Sequence, residues 1–324
     1  MHLALSFSHD LMQGRSKVPA GCRHHGRQDG GATSFSGVNM SIKKTVLVLL
    51  YLIAVGVTIS GAQSPLRVMT FNIRYNEPRD KENAWPNRKE KAAGMIRFHK
   101  ADLAGVQEAL IGQLKDLEAL LPDFAWCGVG RDDGKEKGEF SAILYRKSRF
   151  KLLDTGTTWL SETPLAAGSK GWGANYARII TWAKFYDKVT KRTFFHFNTH
   201  FDHESERARQ ESARIMLKQA TELPGKLPFV ITGDFNAVEN SEPYRILTAK
   251  GNGIKDAGHS SLNPNFGPTS TFNNFGPLVP NRKIDFIFVR DDLIVTEHGV
   301  LADQWDGLWA SDHLPVLAEI SFAK

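Results

Sequence analysis

Residues 229–236 read FVITGDFN, and residues 311–320 read SDHLPVLAEI. The first is a β-branched and aromatic run that stops at Gly233-Asp234 and then places Asn236. The second sets Asp312 and His313 in front of an apolar run. Runs of this length and composition favour strand over helix. One strand therefore delivers its acid at its C-terminal end, the other at its N-terminal end. The same punctuation recurs along the chain. Asn72 ends VMTFN, Glu108 ends AGVQE and His200 ends FNTH, whereas Glu139 precedes FSAILY and Asp285 precedes FIFV. If the second set of strands runs antiparallel to the first, all these polar residues gather at one rim of the sheets.

Outward from these stretches, strands are expected at 66–71, 103–106, 142–145, 179–185, 193–198, 229–232, 284–289 and 316–322. Helical spacing appears over 88–99, 111–120 and 204–223, the last opening with charged residues suited to an exposed face. Several strands follow one another too closely for a crossover helix. A mixed, largely antiparallel arrangement covered by a few helices follows. No linker, repeat or charge block interrupts residues 63–324, so this stretch of 262 residues is expected to be one domain.

The segment before it is of another kind. Lys43 and Lys44 precede an apolar run of 14 residues, Val46 to Ile59, and Ser60-Gly61-Ala62 supplies small residues before Gln63. This is the pattern of a secretory signal peptide over residues 40–62. The run falls short of the ~20 residues needed to span a bilayer, so no stable membrane span is expected. Residues 1–39 are polar, Gly-rich and without periodicity, and are expected to be a non-native or disordered extension, with translation starting at Met40. Cys22 with His24 and His25 in that stretch is a chance cluster rather than a metal tract. After cleavage only Cys127 remains, so no internal disulfide forms despite a secreted or periplasmic destination. The formal charge of +6 is concentrated there too. Residues 1–62 hold six bases and two acids, leaving 35 bases and 33 acids in the body. The high whole-chain pI is thus weak evidence for a polyanionic partner.

Carboxylates gathered at one rim repel one another unless a hard cation joins them. Carboxylate and amide oxygens without a cysteine cluster suit Mg²⁺, or Mn²⁺, better than zinc.

GVQE, NTH, GDFN and SDH, in this order from Leu66 to the C-terminus, resemble the endonuclease/exonuclease/phosphatase superfamily of deoxyribonuclease-I-like enzymes. More narrowly, ETP…GSKGW, RIITWAKF and FNTHFDH look like a secreted bacterial branch of it. The resemblance implies a four-layer α/β sandwich, two packed mixed β-sheets flanked by helices. It also implies roles by motif. Glu108 resembles the principal metal-binding carboxylate, with Asn72 beside it and Asp312 completing the metal side. Asp234 and Asn236 look like the pair that orients the attacking water and the phosphate. His313 resembles the imidazole acting on the scissile phosphate, oriented by Asp285. Glu139 and His200 match a second carboxylate–histidine pair, and Arg178 falls where the family places a phosphate-contacting arginine.

The expected activity is a secreted, divalent-metal-dependent phosphoesterase, foremost a phosphodiesterase or endonuclease working through a metal-activated water. Its partner is then a phosphate ester: nucleic acid, a phospholipid head group or a small ester. The near-neutral body weakens the nucleic-acid version. A sphingomyelinase- or phosphoinositide-phosphatase-like hydrolase is the alternative, although Phe286 follows Asp285 where the inositol group carries Arg. A catalytically silent binding module is the reading from another class, and the complete acid, amide and histidine set argues against it. A monomer is expected. Asp202 and His203 are open between substrate contact and loop hydrogen bonding. Asp102, Asp256 and His259 read as caps or turns, and the Gly-rich loop Leu160–Tyr176 is expected to rim the cleft.

Overall fold

A computed structural model of the chain describes residues 64–323; the expected leader and the extension before it lie outside the described residues. Two six-stranded sheets carry the fold. The first contains β1 (Leu66–Asn72), β2 (Leu103–Ala109), β3 (Phe124–Cys127), β4 (Phe140–Arg146), β11 (Leu293–Val300) and β14 (Val316–Phe322), in the order β11-β14-β1-β2-β4-β3. The second contains β5 (Phe150–Trp159), β6 (Ile179–Asp187), β7 (Thr193–His200), β8 (Phe229–Asp234), β9 (Ile254–Asp256) and β10 (Asp285–Arg290), in the order β5-β6-β7-β8-β10-β9. A short ribbon, β12 (Gln304–Trp305) and β13 (Leu308–Trp309), stands apart. In each sheet one central pair is parallel, β1 with β2 and β7 with β8, and the other pairs are antiparallel.

The central strands are apolar on both faces because both faces are covered. In β1, Leu66 and Val68 face the second sheet, in one cluster with Phe185, Phe194, Val230, Ile287 and Ile320. Met69 and Phe71 face the other way, onto Ala92, Ala93, Met95 and Ile96 of α1 (Trp85–Phe98) and Leu114 and Leu117 of α2 (Ile111–Leu120). The second sheet repeats the scheme. Phe195, Phe197, Ile231, Phe286 and Phe288 pack on α3 (Glu206–Glu222) and α4 (Glu242–Thr248). Helices, sheet, sheet and helices make four layers. A single helical turn, α5 (Ala257–Ser260), follows β9.

Helix α1 begins three residues earlier than its spacing predicts, because Pro86 belongs to the first turn, where its missing N–H goes unnoticed. Six strands escape the sequence reading: β3, β5, β9, β11 and the two-residue strands β12 and β13. The longest of them, β5, is an edge strand in which only the two end residues are buried, with a central glycine, so it lacks an apolar pattern. Cys127 is a free, buried thiol whose pKa burial pushes up to about 11. No helix among the described residues is long and apolar enough to cross a membrane.

Toward one end the space between the sheets turns polar. Gln107 Nε2 donates to Asn198 Oδ1 across the gap (2.7 Å), and Asn198 Nδ2 donates back to the carbonyls of Val106 and Ala142 (2.9 Å each). Thr232 Oγ1 joins the same amide oxygen at 2.9 Å. Gly105 permits this approach: a Cβ there would lie 2.0 Å from Thr232 Oγ1 and 2.5 Å from Asn198 Oδ1. The network is buried and lies just beneath the polar rim, joining the two sheets where the candidate site stands on both.

Candidate active site

Strand ends build the site. Asn72 and Glu108 stand at the C-terminal ends of the parallel pair β1–β2, and His200 and Asp234 at those of β7–β8. Glu139 precedes β4, Asp285 opens β10, and Asp312-His313 precede β14. In register, His200 lies opposite Asp234 and Asp234 opposite Asp285, so three adjacent strands set these side chains abreast. The expected rim is therefore formed, with both sheets contributing.

Unusual backbone accompanies it. The β2–β4 ladder is bulged between Val106 and Ala109, and Glu108 in the bulge has φ 60°. Arg74 (φ 54°) and Asn236 (φ 47°) are left-handed too. Asparagine tolerates this region, but a Glu or Arg is strained there by of order 1–3 kcal/mol. Arg88 helps hold the strained segment. Its buried guanidinium donates to the carbonyls of Ile73, Arg74 (2.7 Å) and Ala310 (3.3 Å). Burial brings its pKa down to about 10, the opposing pull of Asp312 and Asp80 notwithstanding.

Asn72 Nδ2 donates to Glu108 Oε1 (3.0 Å) and to Asp234 Oδ2 (2.9 Å), while its oxygen accepts from the Arg74 amide (2.9 Å). It clamps two carboxylates from different sheets, with its NH₂ rather than its oxygen turned toward the cluster. Glu108 also accepts from the Tyr75 amide (3.2 Å). Burial would raise the Glu108 pKa, but the Asn72 bond, His313 and Arg74 together hold it low. The Asp312 carboxyl is instead raised by burial, with His313 opposing and Glu108 adding to the rise. Arg74 is bonded to Asp80 through Nε (3.0 Å) and Nη2 (3.2 Å), and it also stands 3.9 Å from Glu108 Oε2 and 3.9 Å from Asp312 Oδ2.

His313 Nδ1 meets Asp285 Oδ2 at 2.9 Å, as the motif implies, and its Nε2 stands 3.8 Å from Asp234 Oδ2. Burial disfavours charge on this ring, yet Asp285 and Asp234 outweigh it and hold the pKa well above the ordinary histidine value. Asp234 is raised to about 7 by burial first and the Asp285 charge second, partly offset by His313 and the Asn236 amide.

The second expected pair is not hydrogen-bonded. His200 Nδ1 stands 3.9 Å from Glu139 Oε2, because that oxygen accepts from Arg131 Nη1 at 2.6 Å. His200 Nε2 accepts from Asn236 Nδ2 (3.1 Å), whose other N–H goes to the Phe201 carbonyl (3.1 Å), so the ring proton is on Nδ1. Burial, then Arg178 and Arg131, push the His200 pKa well below its ordinary value. Burial also raises Glu139, with Glu108 adding and Arg131 opposing.

Arg178 is buried beside them, its Nη2 on His203 Nδ1 (2.9 Å) and its Nε 3.8 Å from Asp202 Oδ2. Asp202 Oδ1 accepts the amides of Glu204 (3.0 Å) and Ser205 (2.7 Å), the loop role of the two open for it. His203 lines the cleft. Asp256 caps its turn by accepting from Gly258 (2.7 Å), whereas Asp102 takes the Arg67 amide (3.0 Å) and an ion pair with Arg149 (2.7 Å). His259 pairs with Glu239 at 2.7 Å on the surface.

Glu108, Glu139, Arg178, His200, Asp234, Asn236, Asp312 and His313 open into a cleft of about 620 Å³. Its walls include Arg74, Tyr75, Arg131, Phe272 and Arg282, none of which the sequence reading selected. Arg74 had a signal, since it follows Asn72 by two residues at a strand end. Arg131 had none: RDDGKEKGE reads as a solvated turn. The Leu160–Tyr176 loop does reach the rim through Tyr176, which stacks on His203 (6.1 Å, 24°) beneath the Arg131 guanidinium (5.1 Å).

Residues 69–313 match the model of the endonuclease/exonuclease/phosphatase family. An endonuclease/exonuclease/phosphatase from Bacteroides vulgatus is 41% identical, with 80% of this chain and 99% of that one covered and a TM-score of 0.77. The mannosyl-6-phosphatase Bt3783 of Bacteroides thetaiotaomicron is 37% identical over 79% of this chain and 100% of its own, with a TM-score of 0.74. The uncharacterized protein L388 of Acanthamoeba polyphaga mimivirus is 24% identical over 259 residues, covering 72% of this chain and 91% of that protein. The chain belongs to the endonuclease/exonuclease/phosphatase family, whose members are hydrolases of phosphoester bonds.

Proposed function

We propose that the protein is a secreted, Mg²⁺- or Mn²⁺-dependent phosphomonoesterase of a bacterial type. The observation that carries the monoester reading is the capture of Glu139 by Arg131 at 2.6 Å. Diester cleavage would draw on a second proton-handling pair on the leaving-group side, and Glu139–His200, the pair the motifs offer for it, is not bonded at 3.9 Å. In its place the cleft presents arginines, which suit the extra charge of a terminal phosphoryl group. The likeness to a mannosyl-6-phosphatase supports the same reading. Secretion rests on the leader pattern at residues 40–62; a mature N-terminus at Gln63 in protein recovered outside the cell tests it.

The donor set fits a hard divalent ion. Glu108 and Asp312 would hold it, and the Arg74 guanidinium, bonded to Asp80, lends positive charge 3.9 Å from each. Once bound, such an ion would neutralise charge on the phosphoryl oxygens and the departing alkoxide. The chain's own groups do the rest. Asp234, fixed by Asn72 and by the Asn236 amide, takes a proton from the attacking water as its oxygen bonds to phosphorus. The ester P–O bond then breaks, and the departing alkoxide takes a proton from solvent to leave as the alcohol. His313, anchored on Asp285, keeps its Nε2–H for a phosphoryl oxygen.

Comparing kcat/KM for a mono-aryl and a bis-aryl phosphate in Mg²⁺ tests the reading. The monoester should be better by roughly tenfold or more, the equivalent of one charge-assisted hydrogen bond. A better bis-aryl substrate would replace this reading with a phosphodiesterase.

A further inference from the structure

Beside the cleft lies a cavity of about 10 Å³, room for one water-sized group, and it shares four walls with the cleft: Arg131, Glu139, Arg178 and His200. Three of these are more than nine-tenths buried, with exposures of 7% for Arg131, 4% for Arg178 and 6% for His200. Each also carries polar atoms without a hydrogen-bond partner: Arg131 Nε, Arg178 Nε and Nη1, and His200 Nδ1. All four are N–H donors, given the proton on His200 Nδ1. Buried donors left unpaired are unfavourable by about 1–3 kcal/mol each. Apart from Asp202 Oδ2, an unpartnered acceptor 3.8 Å from Arg178 Nε, the unpaired atoms here are donors, and donors so gathered call for an acceptor with several lone pairs, such as the oxygen of a phosphoryl anion.

We propose that Arg131, together with Arg178, receives a non-bridging oxygen of the terminal phosphoryl group, and that its bond to Glu139 sets how strongly it does so. This rests on the monoester reading and deepens it. Glu139 takes one face of the Arg131 fork through Nη1, leaving Nε for the substrate. The carboxylate thereby fixes the guanidinium and also competes with the incoming anion. Arg131 is accordingly a substrate-binding and specificity-determining residue, and Glu139 tunes it.

The two substitutions should move phosphate affinity in opposite directions, which general damage to the fold cannot do. Inorganic phosphate is titrated calorimetrically into the protein in Mg²⁺. Arg131→Met should weaken binding by roughly 10- to 100-fold, for one or two lost charge-assisted bonds. Arg131→Lys should fall between, keeping charge but losing the planar fork. Glu139→Gln should tighten binding severalfold, since the competing negative charge is gone. Unchanged affinity in Arg131→Met, or a shift of the same sign in Arg131→Lys and Glu139→Gln, overturns the proposal. If Arg131→Met does not fold, the Lys and Gln variants decide it. The monoester reading fails separately: a wild type that prefers the bis-aryl phosphate sinks that reading, while opposite phosphate shifts would still assign Arg131 to the anion.

Discussion

His313 and His200 are both buried at the same rim, and both lie within 4 Å of Asp234 Oδ2, yet their surroundings drive them toward different protonation. His313 is bonded to Asp285 and surrounded by carboxylates, which hold it protonated. His200 faces Arg178 and Arg131 and accepts from an amide, which keeps it neutral. The difference shows that a histidine's chemistry is set by what its ring nitrogens meet. A motif that names the residue does not say what it meets. One ring is held toward the cation by its carboxylates; the other is a neutral donor fixed in place.

The comparison predicts unequal losses. His313→Ala should lower kcat/KM by ~10²–10⁴-fold, the usual range for a positioned imidazole. Asp285→Asn should approach it, and the double variant should be little worse than His313→Ala alone, because Asp285 acts through the ring it orients. Fully additive losses in kinetics would separate the two residues. His200→Asn should lose only about tenfold, one hydrogen bond to the substrate or to Asn236. A loss as large as that of His313→Ala would end the distinction between the rings.

The acid limb of the rate profile sharpens it further. Asp234 must be ionised to take a proton, so activity should grow as pH rises through about 7, and metal binding would draw that midpoint lower. Stability should run the other way. A carboxyl raised in the folded state stabilises the fold below the ordinary carboxylate pKa and loses that contribution as pH climbs through about 7. In EDTA, Asp234→Asn should therefore gain Tm over wild type increasingly from pH 4 to pH 8, as scanning calorimetry would read. A gap independent of pH would place the charge elsewhere. The smallest effect is expected at Arg74. Arg74→Gln removes a cation 3.9 Å from Glu108 and from Asp312, and divalent binding should tighten severalfold in a calorimetric titration. Weaker binding would mean that Arg74 supports the acids instead of competing for them.

Much of this was legible in the chain. The central strands are apolar on both faces, and each ends or begins on a polar residue, so Asn72, Glu108, His200, Asp234, Asp285 and His313 could be placed at one rim before any coordinates. The edge strand β5 was not legible, because FKLLDTGTTW is half in solvent and Gly156 sits under the Trp182 ring. Arg131 was hidden for a different reason. Its loop is rich in Gly, Asp and Lys, as any exposed turn is, and only the tertiary fold buries it against Glu139. The protonation of His200 was equally out of reach, since it depends on arginines 69 and 22 residues away in sequence.

The buried seam of Gln107, Asn198 and Thr232 works as a ruler for the whole molecule. Glu108 and Asp312 ride on one sheet and Asp234 and Asp285 on the other, so neither half of the chain holds a working constellation alone. Amide and hydroxyl bonds have a length, which apolar contacts between sheets do not impose so strictly. The seam thereby sets the spacing between two rigid bodies a few ångströms below the place where that spacing becomes chemistry. Activity at this rim would report how the two sheets are docked.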